Sequence, residues 1–154
     1  MTMTVGRLRA IAIAGLAICC LASPVEAGCT VSTIGVAFGR YDVFSPTDMA
    51  STGIITLDCK KADKNVSVHL STGSSGTYVS RTLRGPGPEV LNYNIFIDGP
   101  SGPIWGNGTG GTRVYANPKP GNAVVTLTMY GRITARQDVR AGDYADTVVV
   151  EVNF

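Results

Sequence analysis

His69 is the only histidine of the chain, and it stands between Ser67 and Ser71. A serine, a histidine and an acid make an acyl-transfer site when the acid is buried behind the imidazole and the nucleophile is exposed ahead of it. No G-x-S-x-G turn is present to raise such a nucleophile. Asn65 to Leu70 alternates apolar and polar, so His69 reads as a solvent-facing residue of a strand. Gly106-Asn107-Gly108-Thr109-Gly110-Gly111 has the spacing G-x-G-x-x-G. A dinucleotide site also needs a helix after that loop, to turn its N-terminus toward a phosphate. Thr112-Arg113-Val114-Tyr115 reads as a strand instead, so the segment is expected to be a glycine-rich loop. The acidic residues after position 27 are scattered, mostly at turns. They form neither a calcium loop nor an evident pair of carboxylates for glycoside chemistry. No catalytic residue, metal or cofactor is expected.

Cys29 and Cys59 carry the remaining reactive side chains. An even pair in an exported protein reads as a disulfide. The rival readings are a metal site or a redox pair. Cysteines thirty positions apart with one histidine make a poor zinc set, and they are not a Cys-x-x-Cys motif. Trp105 is the only tryptophan. It is either a core plug at the start of a strand or an exposed platform for a sugar or partner, and so a candidate ligand contact.

These residues sit on a series of short strands. Gly53 to Cys59 puts Ile55, Leu57 and Cys59 on one face. Asn65 to Leu70 turns Val66, Val68 and Leu70 inward. Asn92 to Ile97 sets Tyr93, Ile95 and Ile97 opposite Asn94 and Phe96, and Val124 to Ile133 is rich in β-branched residues. Each is a period-two pattern. Arg84-Gly85-Pro86-Gly87-Pro88, Asp98-Gly99-Pro100 and Asn117-Pro118-Lys119-Pro120-Gly121 can be neither helix nor central strand, because proline lacks the amide donor and glycine costs backbone entropy. No segment after residue 27 sustains helical periodicity. The fold class expected is an all-β sandwich.

Composition agrees with one globular domain. The chain has 154 residues, 44% of them apolar, which is too many for disorder. Its formal net charge is only +2, with no basic patch, so nucleic acid is not an expected partner. Residues 1–27 read as an export signal: Arg7 and Arg9 lead an apolar run from Ala10 to Ala22, and Val25-Glu26-Ala27 forms a cleavage site. That run is short for a bilayer span, and nothing after it is apolar enough to cross one. The expected domains are a signal peptide, 1–27, and a β-sandwich, 28–154. Cys19 and Cys20 would leave with the signal.

The final residues, Asp146 to Phe154, put Val148, Val150, Val152 and Phe154 on one face and Thr147, Val149, Glu151 and Asn153 on the other. A terminal strand this apolar needs a neighbour on each side, or it offers an edge for pairing with another chain.

Several stretches taken in order resemble the spore coat protein U domain family. Cys29-Thr30-Val31-Ser32 with Val36 to Asp42 is similar to the start of such a domain. Gly53-Ile54-Ile55 leading to Cys59, Arg81-Thr82-Leu83 with Leu91 to Asn94, and Ile104 to Gly111 follow the same pattern. So does the closing run of Tyr130 to Ile133, Gln137-Asp138-Val139, and Gly142 to Val150. The resemblance implies an immunoglobulin-like β-sandwich lacking its last strand, as in subunits of archaic chaperone–usher pili. It implies a periplasmic chaperone, an outer-membrane usher and other pilus subunits as partners, and adhesion or biofilm formation at the cell surface as the role. Val148, Val150, Val152 and Phe154 would line the groove that accepts a donor strand. Fibre-forming subunits carry a donor segment ahead of the first cysteine, whereas a chain starting at Gly28-Cys29 would receive a strand without giving one, as at a fibre tip. The disulfide is then expected at the end of the sandwich opposite the terminal strand. The alternatives are a self-folding secreted coat or matrix protein and a small lectin using Trp105.

Overall fold

The computed structural model describes residues 28–61 and 63–154. The export signal expected over residues 1–27 lies outside them. Eight strands occur in chain order: β1 Thr30–Ile34, β2 Met49–Asp58, β3 Val66–Leu70, β4 Arg81–Arg84, β5 Val90–Phe96, β6 Tyr115–Asn117, β7 Val124–Ile133 and β8 Val150–Asn153. A single 3-10 turn, Gly73–Ser75, is the helical structure among the described residues, and no helix there is long and apolar enough to cross a membrane.

The strands form two antiparallel sheets, β1-β2-β7-β5-β4 and β6-β3-β8. They pack as an immunoglobulin-like sandwich, because every long strand has one apolar face to bury. Ile55 and Leu57 of β2, Met129 and Ile133 of β7, and Ile95 of β5 meet Val66, Val68 and Leu70 of β3, all at most 1% exposed. The predicted alternation holds in β2, β3 and β5. Phe96 and Asn94, on the outward face of β5, are nonetheless buried. The Arg132 guanidinium lies 4.5 Å over the Phe96 ring, and the Asn94 amide donates to the Tyr78 carbonyl at 2.8 Å.

Two glycines let the chain cross the sheet after β1. A β-carbon on Gly53 would lie 2.7 Å from the Ile34 carbonyl oxygen, and one on Gly131 would lie 2.5 Å from Val36 Cγ1 and 2.7 Å from Phe38 Cζ. Segment 36–38 therefore rests directly on β2 and β7. Cys29 and Cys59 form the expected disulfide. Its position differs from expectation. The Phe154 ring approaches Gly28, the neighbour of Cys29, so the disulfide and the end of β8 share one end of the sandwich. The cause is the register: β1 pairs Thr30 with Asp58, while β8 pairs Asn153 with Ser67.

The last segment changes sheets. Ala145 exchanges backbone hydrogen bonds with Arg84 of β4, at 2.8 and 3.0 Å. Five residues later Val150 pairs with Leu70 of β3.

Candidate functional site

The residues that suggested chemistry are placed as structure. Ser67 Oγ and His69 Nε2 are 3.1 Å apart on the outer face of β3. Glu151 is the cross-strand partner of His69, but among the described residues no carboxylate hydrogen-bonds the imidazole, so they assemble no relay. The glycine-rich loop closes on itself: the Asn107 side-chain oxygen accepts from the Thr109 amide and hydroxyl, and Gly108, Gly110 and Gly111 have positive φ. Trp105 is fully buried and its indole N–H donates to the Val68 carbonyl at 3.0 Å. It is a core residue, and the candidate ligand contact at Trp105 is withdrawn because the ring reaches no solvent.

Among the described residues, Cys29, Cys59 and Asp63 bring potential metal ligands together. The two sulfurs are committed to each other. Asp63 is 2% exposed; one carboxylate oxygen accepts the Lys60 amide at 2.6 Å and lies 3.6 Å from Cys29 Sγ. A disulfide sulfur carries no proton, so this is a contact between carboxylate and sulfur. The other Asp63 oxygen has no partner among the described residues.

An open cavity of about 1120 Å³ lies toward the end of the sandwich away from the disulfide. Its floor is the inner face of the five-stranded sheet, with Leu83, Leu91, Tyr93, Ile95 and Ile133. One wall is the segment after β1, from Val36 to Phe44, and the other is the segment leading to β8, from Val139 to Asp146. β1 and β8 are themselves edge strands, each with a neighbour on one side only. The cavity is a cleft with an apolar floor and charged side chains on its walls, among them Arg40, Asp42, Arg140 and Asp143, and no residue of β1 or β8 lines it. None of the four residues expected to line a groove is among those that line this cavity. Val148 is fully buried in the core, Val150 and Val152 are half-buried against it, and Phe154 is 56% exposed. Sequence reasoning missed the wall 139–146, which has no alternating pattern. Its order comes from the β4–β5 turn: Tyr144 packs on Gly85, and Arg140 pairs with Glu89 at 2.9 Å.

A polar network holds this wall from behind. Asp146 accepts the Tyr93 hydroxyl at 2.7 Å, and its other oxygen accepts the Ser74 and Thr147 amides at 2.8 Å each. Burial, reinforced by the bond to Asp146, pushes the Tyr93 phenol well above its ordinary pKa. Nearby, the fully buried Arg81 donates to the Asn94 side chain at 2.6 Å, to the Trp105 carbonyl at 2.7 Å and to the Ser71 carbonyl at 2.8 and 3.0 Å. Burial lowers its pKa below the ordinary guanidinium range. A charged residue at a core position is acceptable only with such partners.

Two antiparallel sheets of five and three strands, with an open cleft over the inner face of the larger one, define an immunoglobulin-like sandwich. The chain belongs to the spore coat protein U domain family, whose pattern matches residues 16–151. Its fold is similar to a chain in the crystal structure of the CsuC–CsuE chaperone–tip adhesion subunit pre-assembly complex, from the archaic chaperone–usher Csu pili of Acinetobacter baumannii. That chain is 24% identical, with a TM-score of 0.59, and the match covers 82% of this chain and 40% of that one. This protein therefore spans two fifths of the length of its structural neighbour. No match is found among curated proteins.

Proposed function

We propose that the protein is a non-enzymatic structural subunit of a chaperone–usher type surface pilus, and that its cavity accepts a β-strand from a periplasmic chaperone or from another subunit. The observation that carries this reading is the cleft with an apolar floor between the walls 36–44 and 139–146, in a sandwich whose strands β1 and β8 each have a free edge. An extended segment laid between these walls would bury alternate side chains on Leu91, Tyr93, Ile95 and Ile133. Each large apolar side chain so buried would contribute about 1.5–3 kcal/mol. Family membership and the fold of the Csu complex support the same reading. In it, residues 1–27 direct export, residues 28–154 form the domain, and Val148, Val150, Val152 and Phe154 continue the acceptor edge. An outer-membrane usher would pass the subunit to the cell surface, where adhesion and biofilm formation are the roles such a subunit would serve.

The test is periplasmic expression with and without the chaperone of its own chaperone–usher system. Co-purification with the chaperone is expected, and without it aggregation or degradation that leaves only a minor soluble fraction. Equal yields of soluble protein and no co-purification would overturn the reading in favour of a self-folding coat protein.

A further inference from the structure

We infer that Phe44 is a preformed anchor at the mouth of the cavity, whose ring closes over the end of an inserted apolar strand; this rests on the strand-acceptor reading above. Phe44 is 88% exposed, more than the other exposed large hydrophobic residues, and it lines the cavity. Its exposure does not come from a loose loop. The Asp42 carboxylate accepts the Phe44 amide at 3.0 Å, and the Asp42 carbonyl accepts the Ser45 amide at 3.1 Å. The Tyr41 hydroxyl donates to the Thr134 carbonyl and accepts the Gln137 amide, both at 2.8 Å, which ties the turn to the segment after β7. A backbone fixed in this way presents the ring at the cavity mouth, so the backbone part of the ordering cost of a contact there is already met.

The occupant that fits is an extended apolar segment. Phe44 stands at the end of the wall that begins at Val36, so a strand running along that wall passes from Phe38 to the Phe44 ring. Strand side chains alternate, so those not pressed onto the floor face outward, where only a rim residue can cover them. Val79 provides the contrast: it is 83% exposed but does not line the cavity.

The test uses the full chain after export and a fluorescein-labelled 12-residue peptide that alternates valine with serine, has leucine in place of the serine nearest each end, and carries a lysine at each end. Fluorescence anisotropy gives its affinity and dissociation rate. Phe44→Ala is expected to speed dissociation roughly tenfold. The thermal midpoint of the empty protein should not move, because the ring makes no buried contact there. Val79→Ala should match the wild type in both readouts. If the wild type captures the peptide and Phe44→Ala releases it no faster, the anchor is overturned while the acceptor reading stands. A lowered midpoint for empty Phe44→Ala would also overturn it, by making the ring a contact of the fold. If the wild type captures no peptide, the acceptor reading itself falls and takes the anchor with it.

Discussion

Tyr93→Phe removes one atom from the floor of the cavity, and its effect can be worked out from the structure. The Tyr93 hydroxyl donates to Asp146 at 2.7 Å, and both residues are at least nine-tenths buried. Losing a hydrogen bond to a buried carboxylate should destabilise the domain by about 1.5–3 kcal/mol near pH 7. The pH dependence has a definite sign. Burial first, and the Asp146 bond second, raise the folded-state pKa of Tyr93 above the ordinary value of 10.0. Below about pH 10 both states hold the proton and the stabilisation is complete. Above it the unfolded chain releases a proton that the folded chain keeps, so wild-type stability falls by about 1.4 kcal/mol per pH unit. The phenylalanine variant has no such proton. Its deficit should therefore be largest near neutrality and shrink by about 1.4 kcal/mol by pH 11. Urea unfolding at pH 7, 9, 10 and 11 measures this, with fluorescence of the buried Trp105, the sole tryptophan, as the probe. A deficit below about 0.5 kcal/mol, smaller than any buried charged hydrogen bond should give, would refute the role of the bond. A gap constant from pH 7 to 11 would refute the raised phenol.

Gly131→Val would drive a side chain into Val36 and Phe38, so it should lower the urea midpoint by the equivalent of about 1–3 kcal/mol and disturb the cavity wall 36–44. Arg81→Met strips the donor from the Ser71 and Trp105 carbonyls and from Asn94. A loss of about 3 kcal/mol or more is expected in the same assay, and a neutral outcome would mean that water replaces the guanidinium. Asp63→Asn removes a buried negative charge 3.6 Å from Cys29 Sγ. An incoming thiolate should then meet less repulsion, so reduction of the disulfide by dithiothreitol should become several-fold faster and less dependent on salt, as measured by thiol release.

The layers of the sandwich were legible because burial on one face writes a period of two. Ile55, Leu57 and Cys59, then Val66, Val68 and Leu70, are interior in the order their alternation predicts. The walls of the cavity were not legible for the complementary reason. Val36 to Phe44 and Val139 to Asp146 are irregular segments whose positions depend on contacts distant in sequence, such as Tyr41 with Thr134 and Gln137, or Tyr144 with Gly85. Arg81 and Asp146 were hidden by their charge: polarity argues for the surface, and only the assembled set of carbonyls, amides and the Tyr93 hydroxyl makes their burial tolerable. Trp105 stood between two readings because its flanking turn and glycines fit either. The bond from its indole to the Val68 carbonyl decides for the core.

The passage of the last segment from one sheet to the other has a mechanical consequence. Between Ala145 and Val150 a single stretch of backbone is stitched first to β4 and then to β3. Its hydrogen bonds lie across the strand direction. Tension along that stretch would load them in shear, so that they resist together rather than opening one after another like a zip. The two layers cannot slide past each other without tearing that seam, while at the far end the Cys29–Cys59 bond ties β1 to the end of β2. A pull transmitted through the domain along this line would meet a seam between the layers at one end and a covalent tie within the larger layer at the other.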